Sequence, residues 1–81
     1  MFYIYVLKSN THNTRYVGSC ADIRYRLSEH NSGKVRYTKG RKPWTLIYSE
    51  VFNSRSEAVK REKYLKSGQG RKFLDKLWGI V

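Results

Sequence analysis

The chain contains few cysteines, prolines and acidic residues. Its 81 residues include one cysteine, one proline and six aspartates plus glutamates. A single cysteine, Cys20, excludes an internal disulfide and a cysteine-rich zinc site. That usage favours a reducing compartment, so the cytoplasm is the expected location. We find no internal repeat and no low-complexity linker, and we expect one domain over residues 1–81.

Long apolar runs are also missing. The N-terminal run Phe2–Leu7 is interrupted by Lys8, too early for a signal peptide or a membrane-spanning helix. A hydrophobic content of 40% with 15% aromatic residues still predicts a folded domain instead of a disordered chain. We therefore expect a small folded domain without a membrane span.

Positive charge is what the chain has in excess. Seventeen lysines plus arginines give a formal net charge of +11. Such a charge predicts a polyanionic partner, nucleic acid first and an acidic membrane surface second. The membrane alternative is weaker, because no basic amphipathic helix would expose large apolar residues. A simple contribution to solubility is the ordinary alternative.

Local patterns predict an α+β fold, with a small three-stranded antiparallel sheet flanked by helices in the order β-β-α-β-α-α. The predicted strands are Phe2–Leu7, Arg15–Ser19 and Trp44–Phe52. The first strand is apolar on both faces, which is typical of a central strand, and we expect the third strand beside it. The predicted helices are Ala21–Asn31, Arg55–Lys66 and Arg71–Trp78.

Helix-end signals support these boundaries. Asp22 is expected in the first turn of the first helix, and Gly33 follows its end. Ser54 and Glu57 match a capping box for the second helix. The segment Ser67–Gly70 is read as a break between the last two helices. The last helix should turn its apolar residues to the core: Phe73, Leu74, Leu77 and Trp78.

Glu62 is the most informative acidic residue. It lies four residues after Ala58 and three before Leu65, on the predicted buried stripe of its helix. Burial of a carboxylate there is costly unless a cation or donor meets it. One explanation is an ion pair with Lys66 or Arg26. The other is a metal ligand at the floor of a cleft, and a lone carboxylate with oxygen chemistry suits Mg²⁺.

Four other residues are brought towards the sheet by the predicted fold. Tyr5 and Tyr16 lie on adjacent strands, and Arg26 and His30 share one helix face because they are four residues apart. Tyrosine packing and an arginine that extends along apolar surface are the ordinary explanations. In the functional explanation, a phenol orients water and an arginine holds a phosphate, as phosphodiester hydrolysis requires.

Residues 34–42 form the most basic stretch and contain no acid. Basic residues neutralise phosphates, and an interleaved aromatic ring can stack on an exposed base. We therefore predict that this stretch is a nucleic-acid-binding loop, with a solvated basic loop as the alternative. The predicted contact residues are Lys34, Arg36, Tyr37, Lys39, Arg41 and Lys42.

These motifs, in this order, resemble the GIY-YIG nucleases. The likeness is greatest to small stand-alone bacterial members related to the N-terminal nuclease domain of the excinuclease C subunit. The half-motifs are Tyr3-Ile4-Tyr5, with Tyr in place of the usual Gly, and Tyr16-Val17-Gly18. The segments that match the catalytic helix and the metal-binding helix are Asp22–Leu27, His30–Gly33, Glu57-Ala58 and Arg61–Lys66. Several relatives carry an Asn near the C-terminal part of the site, and no Asn follows Glu62 here.

The resemblance implies a single-metal endonuclease on a three-stranded antiparallel sheet flanked by helices. On it, Tyr5 or Tyr16 would deprotonate or orient the attacking water, and Arg26 would stabilise the pentacoordinate phosphate. Glu62 would hold Mg²⁺ or Mn²⁺, and His30 would lie at the cleft edge and assist.

The expected activity is hydrolysis of phosphodiester bonds in nucleic acid, with DNA favoured over RNA and no small-molecule substrate. DNA repair or recombination is the expected setting. The alternative is a non-catalytic basic module that binds nucleic acid with the same fold. The sequence leaves the oligomeric state open.

Overall fold

The computed structural model describes the backbone of residues 1–78 and the side chains of residues 1–76. The strands are β1 (Phe2–Ser9), β2 (Arg15–Cys20) and β3 (Trp44–Phe52). The helices are α1 (Ile23–Asn31), α2 (Arg55–Lys66) and α3 (Gly68–Trp78), with a short 3-10 turn at Lys39–Arg41. The α+β class and the order β-β-α-β-α-α are confirmed. No helix in the described part of the chain is long and apolar enough to cross a membrane.

The sheet has the order β2-β1-β3, and both pairs are antiparallel. The predicted central position of β1 is therefore confirmed. Its alternating side chains serve two cores, because successive residues of a strand point to opposite faces. Ile4 and Val6 pack under α2 and α3. Tyr5 and Leu7 pack on the other face, which α1 covers.

The helix ends follow local capping chemistry. Asp22 is the N-cap of α1, and its Oδ1 accepts a hydrogen bond from the Tyr25 N–H at 3.1 Å. The expected start at Ala21 is thus wrong, since Asp22 caps the helix from outside it. Ser54 caps α2 as predicted, accepting from the Glu57 N–H at 3.2 Å. Gly33 follows α1 with a φ of 82°, where glycine is favoured.

The predicted break between the last two helices is confirmed, but it is shorter than Ser67–Gly70. Only Ser67 separates the helices, because α3 begins at Gly68 and not at Arg71. Gly70 lies in α3, where an added Cβ would be 2.1 Å from the Tyr64 carbonyl oxygen and 2.4 Å from the Leu65 Cα. This glycine therefore permits close packing of α3 on the end of α2.

The predicted core face of α3 is confirmed where its side chains are described. Leu74 is buried and Phe73 packs against the same cluster. The side chains of Leu77 and Trp78 lie outside the described residues. Among the described side chains, Leu74 and Phe73 contribute to the docking of α3, together with the close approach at Gly70.

The close approach at Gly70 gives a stability prediction. Gly70→Ala should destabilise the protein by at least ~1–3 kcal/mol, because the new methyl group would overlap backbone atoms of α2. Gly68→Ala is the matched control, since nothing lies within 4 Å of a Cβ at that position. Urea unfolding of both variants measures the difference. Equal stability of the two variants would contradict the packing argument.

Candidate active site

A buried hydrogen-bonded chain joins three parts of the molecule. The Tyr5 hydroxyl of β1 lies 2.9 Å from His30 Nε2, and His30 Nδ1 lies 2.7 Å from Thr38 Oγ1. Tyr5 is 2% exposed, and His30 and Thr38 are fully buried. The prediction that His30 lies at the cleft edge is therefore wrong, because its ring is fully buried and hydrogen-bonded to Tyr5 and Thr38.

The surrounding donors and acceptors decide where the protons lie. The Thr38 hydroxyl donates to the Val35 carbonyl at 3.4 Å, so it is free to accept from His30 Nδ1–H. His30 Nε2 then accepts the phenolic proton of Tyr5. Burial, followed by the charge of Arg26, lowers the pKa of His30, which keeps the imidazole neutral.

Arg26 lies beside the same tyrosine. Burial raises the pKa of Tyr5 to about 12, and the adjacent Arg26 guanidinium offsets part of that rise. The Tyr5 hydroxyl and then the Glu29 carboxylate raise the pKa of Arg26, so Arg26 stays a cation. Its Nη1 also lies 2.9 Å from Glu29 Oε1. Tyr5 is therefore a neutral donor near pH 7 with a fixed positive charge at its oxygen.

Gly18 makes room for the two tyrosines of the half-motifs. It pairs with Tyr5 across the sheet, and an added Cβ would lie 2.6 Å from the Tyr5 hydroxyl oxygen and 3.0 Å from the Tyr16 ring. The missing Cβ at Gly18 therefore admits the side chains of Tyr5 and Tyr16. The Tyr16 ring centroid lies 6.2 Å from that of Tyr5 and 5.0 Å from that of His30.

Glu62 reaches this cluster through Lys66. The Glu62 side chain is only 20% exposed, and its Oε2 lies 2.7 Å from Lys66 Nζ. Lys66 Nζ also lies 5.9 Å from the Tyr16 ring centroid. Of the two ion pairs considered for Glu62, the structure forms the one with Lys66; Arg26 pairs with Glu29 instead. A chain of neighbours thus runs from Arg26 through Tyr5, Tyr16 and Lys66 to Glu62.

The donor set around Glu62 fits only certain metals. No group of three or more His, Cys, Asp or Glu side chains that could hold a metal exists within the described residues. A structural zinc site of the usual kind needs four such ligands. Mg²⁺ and Mn²⁺ are different, because they prefer oxygen, and Mg²⁺ can be held by one or two carboxylates while it keeps several waters. The half-buried Glu62 carboxylate fits a magnesium-type ion.

A cleft of about 480 Å³ opens at β2, the edge strand next to β1. Arg15 and Tyr16 of β2, Lys66 of α2 and Arg71 of α3 line it, together with Tyr37. Arg15 joins β2 to α3 on one side of the cleft, because its Nη1 lies 2.7 Å from Asp75 Oδ1 and its Nη2 donates to the Arg71 carbonyl at 3.1 Å. Tyr16 is therefore the half-motif tyrosine that faces the open cleft.

The basic stretch 34–42 lies beside the cleft and exposes all its cations. Lys34, Arg36, Lys39, Arg41 and Lys42 are exposed. The ends of the loop are tied to the core by Asn31, whose side chain donates to the Trp44 carbonyl at 3.1 Å and accepts from the Trp44 N–H at 2.6 Å. The predicted loop is thus a fixed surface of positive charge.

Residues 1–74 match the family described as the GIY-YIG catalytic domain. The chain belongs to the GIY-YIG catalytic-domain family. It is similar to the UPF0213 protein of Streptococcus agalactiae, with 45% identity over 79% of this chain and 73% of that one. It is also similar to the UPF0213 protein of Halobacterium salinarum, with 42% identity over 82% of this chain and 86% of that one.

A solved structure supports the same assignment. The solution NMR structure of a UPF0213 protein from Bacillus halodurans is similar to this chain with a TM-score of 0.55 and 34% identity. The likeness covers 98% of this chain and 87% of that one. The recognised GIY-YIG resemblance and the fold are therefore confirmed, and membership implies a nuclease-family domain that binds nucleic acid.

In this GIY-YIG chain, the structure gathers the predicted tyrosines, Arg26, His30 and Glu62 along one connected path. Sequence reasoning missed the role of Thr38, which bonds to His30 from eight residues away in sequence. It also missed Arg71, which lines the cleft. No local pattern signals either residue, because both depend on how separate segments pack.

The buried neutral His30 predicts a pH dependence. Its pKa is lowered on folding, so the unfolded chain binds more protons below about pH 6.5 and the free energy of unfolding should fall as pH decreases. Urea unfolding at pH 7.5 and 5.5 measures this loss, in a range where ordinary carboxylates stay ionised. His30→Gln should be less stable at pH 7.5 but should lose less stability on acidification.

The matched control is His12→Gln, which changes an exposed histidine in the β1–β2 turn. This variant should keep the wild-type loss of stability between the two pH values. If His30→Gln shows the full wild-type loss, the titrating group is another residue.

Proposed function

We propose that this chain is a divalent-metal-dependent endonuclease that hydrolyses phosphodiester bonds in nucleic acid, with DNA as the preferred substrate. The observation that carries the proposal is the connected path from Arg26 through Tyr5, Tyr16 and Lys66 to Glu62. It joins a fixed cation, two phenols and a carboxylate, and of these side chains Tyr16 lines the cleft at β2. A binder of the phosphate backbone would need only the lysines and arginines.

The two tyrosines have different roles in the proposed reaction. Tyr5 donates its hydrogen bond to His30 and lies beside the Arg26 guanidinium, and with a pKa of about 12 it stays protonated. It therefore positions Arg26 and the neighbouring ring. Tyr16 lines the cleft, so its hydroxyl is the one that orients the attacking water.

Arg26 supplies a permanent positive charge. Its guanidinium remains protonated, because Tyr5 and Glu29 both raise its pKa. A planar guanidinium can hold two phosphate oxygens, and its charge stabilises the negative charge that grows on them as water attacks. Arg26→Ala should reduce cleavage strongly and weaken nucleic-acid binding only slightly, since many other cations remain.

Glu62 is the residue that would hold Mg²⁺ or Mn²⁺. A bound divalent ion supplies charge neutralisation at the phosphate and a lower pKa for the attacking water. Lys66 Nζ lies 2.7 Å from Glu62 Oε2, where it would compete with a metal ion for the carboxylate. Once Lys66 leaves Glu62, its ammonium is available to a substrate phosphate in the cleft it lines.

The proposed setting is DNA repair or recombination in the cytoplasm, with phosphate-dominated recognition. The net charge of +11 supports strong, salt-dependent binding with little sequence preference. Exposed cations of the 34–42 loop provide the phosphate contacts, and Arg26 and Glu62 act at the scissile bond.

Glu62→Gln tests the proposed catalysis. The variant should lose at least ~100-fold in cleavage rate while it keeps its affinity for nucleic acid, because a neutral amide cannot replace a metal-binding carboxylate. The assay uses single-stranded, duplex, flapped and four-way DNA and structured RNA, with Mg²⁺, Mn²⁺ or EDTA. Glu57→Gln is the matched control, since it changes an exposed glutamate of the same helix.

The two possible results separate the functions. Endonuclease activity would be established if cleavage depends on metal, is lost in Glu62→Gln and is kept in Glu57→Gln. The nucleic acid in the panel that is cut fastest would then identify the substrate class. Salt-sensitive binding by all three proteins without cutting would instead make the chain a nucleic-acid-binding module. Glu62 would then be a structural partner of Lys66.

Lys66→Gln tests the assignment of Glu62 as the metal ligand without an activity assay. The Lys66 ammonium competes with a cation for the same carboxylate, so its removal should tighten Mn²⁺ binding by about 2- to 5-fold, the range for an exposed ion pair. Isothermal titration calorimetry measures the affinity. Lys63→Gln makes the same charge change at an exposed position of α2 and should tighten binding less. Equal effects would indicate a general charge effect and not competition at Glu62.

A further inference from the structure

We propose that Tyr37 is the stacking platform for an unpaired base at the mouth of the cleft, so the substrate is nucleic acid that is single-stranded or locally unpaired there. This inference deepens the proposed function and rests on it for the identity of the ligand as nucleic acid. It concerns binding, so it can be tested without cleavage.

Tyr37 is a large aromatic residue that the fold leaves in solvent. It is 69% exposed, although it lines the cleft beside Tyr16. The two ring centroids are 5.7 Å apart and the ring planes are tilted by 41°. The cleft therefore has aromatic surface at its mouth, next to the tyrosine proposed to orient water.

The backbone that carries Tyr37 is held in place. The next residue, Thr38, is buried, bonds to His30, and accepts at its carbonyl from Trp44 Nε1 at 3.0 Å. The end of the loop is tied to the end of β1 by Ser9 Oγ, which donates to the Arg41 carbonyl at 2.6 Å. Because the loop is already ordered, little conformational entropy is lost when a base stacks there.

Positive charge near the ring favours a nucleotide over an uncharged flat ligand. Lys34, Arg36 and Lys39 are exposed in the same loop, and residues 34–42 contain no acid. Lys66 and Arg71 line the cleft together with Tyr37. The phosphates next to a stacked base would therefore have cations of the loop and of the cleft available to them.

An exposed aromatic ring distinguishes unpaired from paired bases, because it can stack only on a base with a free face. The cleft that Tyr37 lines, of about 480 Å³, has room for a small group such as one base. Both faces of a base inside a duplex are covered by its neighbours, and extrusion of a base costs a few kcal/mol. An unpaired base reaches Tyr37 without that cost.

Exposure alone does not define this site. Tyr25 of α1 is 63% exposed, almost as much as Tyr37, but it is not among the residues that line the cleft. It therefore offers a matched control that removes an exposed phenol from another part of the surface. Tyr37→Phe is the second control, because it keeps the ring and loses only the hydroxyl.

The experiment measures binding in EDTA by fluorescence anisotropy. The probes are a 12-nucleotide single strand of DNA, the same strand as RNA, the DNA duplex of that sequence, and a DNA strand of equal length with every base removed. Tyr37→Ala should bind the single strand about 5- to 150-fold more weakly than wild type, the range for loss of one stacked base. Tyr37→Phe and Tyr25→Ala should bind within about 2-fold of wild type, since exposed changes outside the stacking contact have small effects.

The base-free strand makes the test independent of folding of the variant. Wild type should bind it more weakly than the normal strand, and Tyr37→Ala should bind it as wild type does, because no base is left to stack. Duplex affinity should be unchanged in Tyr37→Ala. Comparison of the affinities for the DNA and RNA single strands shows whether the site prefers deoxyribose or ribose.

Three results would overturn the inference. These are an equal loss of single-strand and duplex affinity in Tyr37→Ala, an unchanged single-strand affinity, or tight wild-type binding of the base-free strand. Absence of wild-type binding to every probe would instead overturn the proposed function. The two failures are therefore distinguishable in one set of titrations.

Discussion

The hydrogen bonds of His30 are the constraint on which the site depends. The imidazole is fully buried and has a partner on each nitrogen, Tyr5 on the central strand and Thr38 on the basic loop. A buried polar group left without a partner costs about 1–3 kcal/mol, so each bond requires the other segment to be in place. Strand β1, the end of α1 and the loop are thus locked together, and the loop places Tyr37 beside Tyr16.

The six acids of the chain show how the remaining charge is arranged. Asp22 and Glu57 act at helix starts, and the other four form ion pairs with Arg or Lys. Among the described residues, none of these acids pairs with a cation of the 34–42 loop. The positive charge of the loop that carries Tyr37 is therefore not offset by a described ion pair. Two of the ion pairs, Glu62 with Lys66 and Asp75 with Arg15, have a cation that lines the cleft.

Local signals account for the elements that were predicted correctly. The two-sided apolar pattern of Phe2–Leu7 identified the central strand, because a strand covered on both faces must be apolar on both. Ser54 and Glu57 identified the start of α2, because their hydrogen bond joins residues only three positions apart in the sequence. The half-motif tyrosines and Arg26 also followed from sequence. Each of these inferences needs only neighbouring residues or the spacing along one element.

Tertiary structure alone decided how those residues meet. Gly68 and Gly70 predicted a helix break, yet both lie in α3. Gly70 is needed there because α3 packs so closely on α2 that no room is left for a Cβ. His30 was expected at the cleft edge and is buried, because Thr38 folds back over it. Glu62 had two possible cation partners, and it pairs with Lys66 four residues along its own helix, while Arg26 pairs with Glu29 within α1. The sequence by itself determined the elements and the chemistry they carry, including this local ion pair. The burial of His30, the approach of α3 at Gly70 and the cleft depend on contacts between distant segments, which no local pattern encodes.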